Sequence, residues 1–594
     1  MESGKLDRLL ERVEKPARYI GGEWNSIVKD AAQVRFALCF PDVYEIGMSH
    51  LGSRILYHVL NEQEGIACER VYAPWPDMEA ALREAGEPLF SLETKRPVGA
   101  FDVLGFSLLY EMCYTNILTV LELSGIPLRA EDRGEEGPLV IAGGPCCCNP
   151  TPGAPFFDAI LIGDGEELVL EVTRAVRQAK AAGKTKAALL LELKGLRGVY
   201  VPSLHGAGET VVRRIVADLN AVPFTGKPIV PYTSIVHDRV ALEVMRGCTR
   251  GCRFCQAGYI YRPVRERKRE RLMDMARAQV DCTGYDEISL LSLSTGDYSE
   301  VHALVPEIIR EMDRNRVSVS LPSLRVDSVL KEDLKVMESV RKAGLTFAPE
   351  AGTQRLRDVI NKNVTEEDIL RAAGDAFAAG WHGVKLYFMM GLPTETDEDI
   401  LGIAELARKI SRLFYELPKE QRGKGLRLSV SVSTFVPKPF TAFQWCAQNS
   451  LDEIRRKQDL LRGGVKGIRG AELHMHLSTL SVLEAAFSRG DGRLADVLQK
   501  AYQKGCRFDS WSEHFRPAAW REAFDECGLT AEGYAERSYG PEEELAWDFV
   551  DMLVTRDYLR REYDRAFSEK TTPDCRDGCN GCFGVKHAND CRLA

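Results

Sequence analysis

Short apolar runs, each followed by a stretch of helical spacing, recur along most of this chain. The first, VRFALCF at 34–40, leads into DVYEIGMSHLGSRILYHVL, whose apolar positions repeat at helical intervals. FDVLGFSLL (101–109), PLVIAGGP (138–145) and DAILIGDGEE (158–167) repeat the strand pattern, and a helix follows the last to about residue 182. Buried strands alternating with helices predict a parallel, doubly wound sheet over residues 31–185. Residues 1–30 read as a short amphipathic helix and lead-in. Residues 186–236, richer in Gly, Pro and Val, read as a strand-and-loop connection.

From Asp238 the rhythm restarts and becomes regular. Strands are expected at RVALEVMRG (239–247), EISLLSLST (287–295), VSVSLPSLRV (317–326), LTFAPEAG (345–352), GVKLYFMMGLP (383–393) and LRLSVSVSTFVP (426–437), with helical patterns between them. Six β/α units in succession predict a partial (β/α)6 barrel over 237–445, its functional loops at the C-terminal strand ends. Residues 446–570 are mostly helical in pattern, and 571–594 form a polar tail rich in cysteine. The fold class is α/β.

Composition narrows this further. The 594 residues carry a net charge of -9, which argues against wholesale nucleic-acid binding through charge. The N-terminal segment has no apolar core of a secretory leader, and no apolar run reaches the ~18 residues of a membrane span, so a cytoplasmic protein is expected with no membrane partner. In a reducing compartment the 17 cysteines, where clustered at short spacing, are expected to bind metal rather than pair as disulfides.

MRGCTRGCRFCQAG places Cys248, Cys252 and Cys255 after the first barrel strand, a C-x3-C-x2-C spacing. Three thiolates on one loop suit three irons of a cubane and leave the fourth iron open for a substrate. Zinc usually takes four ligands in paired C-x2-C units, and no fourth cysteine or histidine lies nearby. With Phe254 before its last cysteine, the motif resembles the signature of the radical S-adenosylmethionine (SAM) superfamily. LSTGDYS (293–299, with Gly296), FAPEAGTQRLRDVINK (347–362, with Glu350), YFMMGLPTETDED (387–399) and FVPKPFTAFQW (435–445) are similar to later segments of its methylthiotransferase-like and cobalamin-type branches. The resemblance implies a [4Fe–4S] cluster on the triad and SAM near Phe254, Gly296 and Glu350. It also implies a one-electron donor such as flavodoxin or ferredoxin, and radical chemistry at an unactivated carbon.

The first domain resembles the cobalamin-binding fold, which carries D-x-H-x-x-G, S-x-L and a Gly pair after successive strands. Here these are Asp42-x-Tyr44-x-x-Gly47, Ser107-x-Leu109 and Gly143-Gly144. The resemblance implies cobalamin at these positions, with Tyr44 removing the imidazole that would ligate cobalt from below. Cys39, Cys113 and Cys146–Cys148 lie near the same strand ends, where methylthiotransferases place ligands of an auxiliary cluster; packing is the alternative for a cysteine inside an apolar strand. In the tail, Cys575, Cys579, Cys582 and Cys591 suit a second cluster or a zinc ion.

Other features are less specific. RPVRERKRER (262–271) reads as a solvated helix start, with RNA-phosphate contact as the alternative. His474 and His476 alternate on a strand, with packing or surface roles expected. Trp511, Glu513 and His514 could line a substrate mouth or pack a helix. The whole pattern resembles an uncharacterised family of radical SAM proteins with a cobalamin-binding-like domain, whose members often occur with a small companion protein. The expected activity is methylation or another modification of an unactivated carbon, on RNA or a ribosomal component. A methylthiotransferase-like enzyme and a non-catalytic iron–sulfur sensor or scaffold are the alternatives.

Overall fold

The computed structural model describes residues 3–313, 316–321, 345–422 and 425–591. In the first domain, β1 (Val34–Phe40), β2 (Ile66–Tyr72), β3 (Val103–Ser107), β4 (Leu139–Gly143), β5 (Ala159–Leu161) and β6 (Val199–Tyr200) form one sheet in the order β2-β1-β3-β4-β5-β6. The first five are parallel and β6 is antiparallel to β5. The order reverses between β1 and β3, and doubly wound sheets of this kind take their ligands at such a switch, outside the carboxyl ends of the strands.

Two parts of this sheet differ from the sequence expectation. The apolar pattern of β2 is interrupted by Glu69 and Arg70, yet both are buried. Arg70 forms ion pairs with Glu23 at 2.7 Å and Glu93 at 2.6 Å, so the polar positions are satisfied internally. The supposed connection after residue 186 adds the helix Lys186–Lys194 and β6, which closes the far edge of the sheet.

Alternation along β1 sends Phe36 and Leu38 to one apolar core and Ala37 and Cys39 to another. The second core is shared with the C-terminal region. Asp509 accepts from Thr115 Oγ1 at 2.7 Å and from Trp520 Nε1 at 2.7 Å, and Phe508 N donates to Asn116 Oδ1 at 2.9 Å. The C-terminal region therefore closes the back of the first domain.

The second domain contains β7 (Val240–Glu243), β8 (Glu287–Leu291) and β9 (Ser318–Ser320), parallel in the order β9-β8-β7. It continues with β10 (Leu345–Glu350), β11 (Gly383–Met390), β12 (Arg427–Thr434) and β13 (Ala471–Met475), parallel in chain order. The expected third strand beyond Leu321 lies outside the described residues. β13 is one strand more than the six units read from the sequence. It is the strand expected around His474; Glu472 and His474 on it, and His476 just beyond it, are exposed.

Candidate functional site

The cysteine triad sits on the loop after β7, as expected of a barrel whose chemistry lies at the strand ends. The loop is fixed from several directions. Arg253 is fully buried and pairs with Glu562 at 3.2 Å; it also donates to Asp358 O at 3.1 Å, Val359 O at 2.9 Å and Lys570 O at 2.6 Å. Asn361 Nδ2 donates to Gly251 O at 3.1 Å. Gly251 has φ 72, a conformation in which glycine is at ease. The three thiols are electrostatic neighbours of one another, and burial pushes Cys248 up and Cys255 up to about 12. Thiolate ligation would be driven by the metal itself, which displaces the proton. The donor set, spacing and closely held loop fit an iron–sulfur cluster on Cys248, Cys252 and Cys255.

The expected SAM residues surround this loop. Gly296 lies in the turn Thr295–Asp297 beyond β8. Burial alone would raise the Asp297 carboxyl, but Arg250, Ser294 and Arg576 hold it near about 2. Glu350 ends β10 with φ 66, unusual for a residue with a side chain, and its carboxylate accepts from Lys362 Nζ at 3.1 Å. Phe254 packs on the apolar cluster that includes Ala351, Leu356 and Leu392.

A cavity of about 400 Å³ opens between the two domains. From the first domain come Phe36 and Leu38 of β1, Gly105, Ser107 and Leu109 at β3, Gly143 and Gly144 at β4, and Gly163 after β5. Met245, Gly247 and the Ser292–Leu293 pair supply the facing wall, so the cavity reaches the residue before Cys248. A Cβ on Gly105 would lie 2.7 Å from the Phe36 ring, which shows how closely the strands pack at its floor.

Of the residues expected to hold cobalamin, Ser107, Leu109, Gly143 and Gly144 line this cavity; Asp42, Tyr44 and Gly47 do not. Asp42 accepts from Trp511 Nε1 at 3.1 Å, and Tyr44 donates to Glu23 at 2.9 Å. Gly47 packs beneath Tyr72.

Sequence reasoning missed His50, Asp164, Glu166 and Arg246 as wall residues. His50 caps the helix Leu51–Asn61, its Nδ1 accepting from Ser53 N at 3.1 Å, and burial pushes its pKa down to about 4. It therefore brings a neutral imidazole to the wall at pH 7. Arg246 pairs with Glu166 at 2.6 Å, Asp164 at 3.1 Å and Glu243 at 2.9 Å. The GDGEE run after β5 was the available signal for Asp164 and Glu166.

The remaining candidates fall elsewhere. The basic run is not a solvated helix start throughout: Arg262, Arg265 and Arg267 are buried, with Arg265 paired to Asp164 and Arg267 to Glu243. Trp511 and His514 meet the Trp75 ring edge-to-face, joining the C-terminal region to the first domain. Glu513 is exposed. Cys39, Cys113, Cys146, Cys147 and Cys148 belong to one apolar core, Cys39 on the face of β1 opposite the cavity-lining Phe36 and Leu38, while Cys148 Sγ accepts from Gln256 Nε2 at 3.0 Å, beside Cys255. In the tail, Cys582 is buried, Cys575 and Cys591 are half-buried and Cys579 is exposed.

Residues 242–407 match the family described as Radical SAM superfamily, and 52–202 match Radical SAM proteins, N-terminal. The uncharacterized protein MJ0966 of Methanocaldococcus jannaschii is 31% identical over 414 residues, covering 69% of this chain and 78% of that protein. The tRNA-2-methylthio-N(6)-dimethylallyladenosine synthase of Carboxydothermus hydrogenoformans is 26% identical over 185 residues, 29% of this chain and 41% of that one. Among solved structures, the radical S-adenosylmethionine methyltransferase TsrM from Kitasatospora setae, with cobalamin and a [4Fe–4S] cluster bound, superposes with a TM-score of 0.47. It is 14% identical, over 67% of this chain and 74% of that one.

Proposed function

The chain belongs to the radical SAM superfamily, and on that premise we propose that it methylates or otherwise modifies an unactivated carbon, with cobalamin in the cavity between its two domains. The position of that cavity carries the reading. It joins the strand ends of a doubly wound sheet, where such folds take ligands, to the wall that leads into Cys248. Its lining by Gly105, Gly143, Gly144 and Gly163 leaves room at the sheet for a bulky group, and the apolar side chains around them suit a corrin edge or its nucleotide tail.

When bound, the cluster supplies the electron that cleaves SAM, and the corrinoid supplies a methyl carrier. The protein's own residues do the rest. Cys248, Cys252 and Cys255 anchor the cluster. Glu350 and the backbone around Gly296 stand ready for the polar groups of SAM. The interlocked Arg246, Asp164 and Glu166 hold the cavity wall rigid through buried ion pairs. Tyr44 is engaged with Glu23, so His50 is the one imidazole among the lining residues.

An external one-electron donor of the flavodoxin or ferredoxin class completes the system. RNA or a ribosomal component is the substrate class to test first, in keeping with the tRNA-modifying relative. Anaerobic purification with hydroxocobalamin, followed by corrinoid and iron quantitation, tests the cofactor assignment. About one corrinoid per chain supports it, and none at saturation overturns it. Mass spectra of RNA and protein from a deletion strain and its parent would then identify the missing modification.

A methylthiotransferase-like reading rests on the grouping of Cys39, Cys113, Cys146 and Cys147 in one apolar core, where the thiols are electrostatic neighbours. Their burial among apolar side chains and the Cys113 bond to Tyr110 O at 2.8 Å favour packing. Iron and sulfide retained after replacement of both the triad and the tail cysteines would favour that alternative.

A further inference from the structure

The tail lies directly on the triad loop. Cys575 N donates to Thr249 O at 3.2 Å, and Thr249 Oγ1 donates to Asp574 at 2.8 Å. Thr572 N donates to Asn361 Oδ1 at 2.7 Å, while the same asparagine's amide holds Gly251. Arg576 reaches Asp297 at 2.9 Å. At the other end Thr555 N donates to Cys582 O at 2.9 Å, and Cys582 and Cys591 pack on one apolar core.

The tail also repeats the loop's own pattern. Cys248-Thr-Arg-Gly-Cys252-Arg-Phe-Cys255 and Cys575-Arg-Asp-Gly-Cys579-Asn-Gly-Cys582 share the C-x-x-G-C-x-x-C spacing, glycine included. The tail thiols thus share the triad's donor set and spacing.

An independent feature points into this site. Arg262 is only 3% exposed, and its Nη1 and Nη2 atoms have no hydrogen-bond partner among the described residues. Its guanidinium lies 5.2 Å from the Tyr259 ring and 5.6 Å from the Tyr558 ring. Its electrostatic neighbours include Cys575 and Cys582, and it is itself a neighbour of Cys248. A buried cation without an anion is costly, and neutral thiols do not offset it. Ligating thiolates would.

We propose that Cys575, Cys579, Cys582 and Cys591 hold a second [4Fe–4S] cluster, with Arg262 as the buried counter-ion between it and the triad. Four thiolates on a cubane leave it a net anion with no open iron, suited to a structural or electron-carrying role. The arrangement is independent of whether cobalamin fills the cavity.

The test is anaerobic reconstitution of the full chain, of C248A/C252A/C255A and of C575A/C579A/C582A, with iron, sulfide and zinc quantitation and Mössbauer spectra. The expected result is about eight irons in the parent and about four in each triple variant. A triad-less chain holding no iron, or a tail holding one zinc instead, would overturn the proposal. Arg262→Met, with Arg262→Lys as the conservative control, keeps the ligands intact. At full iron content, EPR-monitored titration should show a cluster midpoint shifted to more negative potential in R262M and largely restored in R262K. Unchanged midpoints in R262M would remove Arg262 from the account.

Discussion

Replacing Arg253 by methionine removes the side chain that fastens the triad loop to the rest of the protein. Arg253 and Glu562 are 0% and 1% exposed, so neither charge has recourse to water. In the variant Glu562 keeps the Thr572 hydroxyl, 2.8 Å from both its oxygens, and the half-exposed Arg565 at 3.9 Å, but loses its buried cation. The carbonyls of Asp358, Val359 and Lys570 also lose a donor. Breaking a buried pair from one side costs about 3–5 kcal/mol. At about 1.4 kcal/mol per tenfold, local opening should become at least about a hundredfold easier. Hydrogen–deuterium exchange under anaerobic conditions reads this directly: peptides covering 248–256 and 570–576 should exchange at least about a hundredfold faster, up to the limit set by global unfolding. Iron bound by the triad should fall with it. Adding Glu562→Leu removes the stranded carboxylate and should recover a substantial part of the protection, because coupled neighbours are not additive. Exchange in R253M within about threefold of the parent would refute the reasoning, since a fully buried pair whose loss costs so little would not be holding the loop.

Three further predictions follow from other parts of the molecule. Gly143→Leu should abolish corrinoid retention while leaving iron content intact, because a Cβ there meets only Leu161 atoms at 3.6 and 3.7 Å and the added side chain enters the cavity; a corrinoid titration at parental affinity would count against the cavity assignment. Burial raises the Asp509 carboxyl to about 6 despite its bonds from Thr115 and Trp520. The folded state therefore binds this proton more tightly than the unfolded chain, so its contribution is fully present below about pH 4 and is lost as pH rises through 6. Relative to Asp509→Asn, the parent should lose about 2 kcal/mol between pH 4 and 7.5, and thermal midpoints that run parallel for the two proteins over that range would contradict this. Glu350→Gln should weaken SAM binding by about tenfold or more through loss of a charge-assisted contact, without changing iron content; equilibrium dialysis of anaerobic protein against labelled SAM checks it, and unaltered affinity removes Glu350 from the SAM site.

Much of the fold was legible because burial and periodicity coincide. β1 matched its apolar run residue for residue, and the strands ending near Glu350, Met390 and Thr434 kept a clean alternation. The pattern failed where polar groups are satisfied inside: β2 hides Arg70 between two carboxylates. The basic run misled for the same reason: charge suggested a wet surface, whereas Arg265 and Arg267 are partnered by Asp164 and Glu243, both outside the run.

The site divides along similar lines. A metal loop is written locally, because three thiols must converge within a few residues, and Cys248, Cys252 and Cys255 declare themselves. A cavity between two sheets is not local. Ser107 and Gly143 carry short signals, while His50 and Arg246 join them only through folding. The docking of the tail on Thr249 and Asn361 has no sequence signature either, since it depends on backbone groups brought together across more than two hundred residues.

The central claim is that three thiols after the first barrel strand support reductive cleavage of SAM. Anaerobically reconstituted protein, supplied with SAM and a strong one-electron reductant, should release 5′-deoxyadenosine measurable by mass spectrometry. The C248A/C252A/C255A variant, still carrying its tail cysteines, should release none above the protein-free control. Release from that variant at the parental rate would contradict the account.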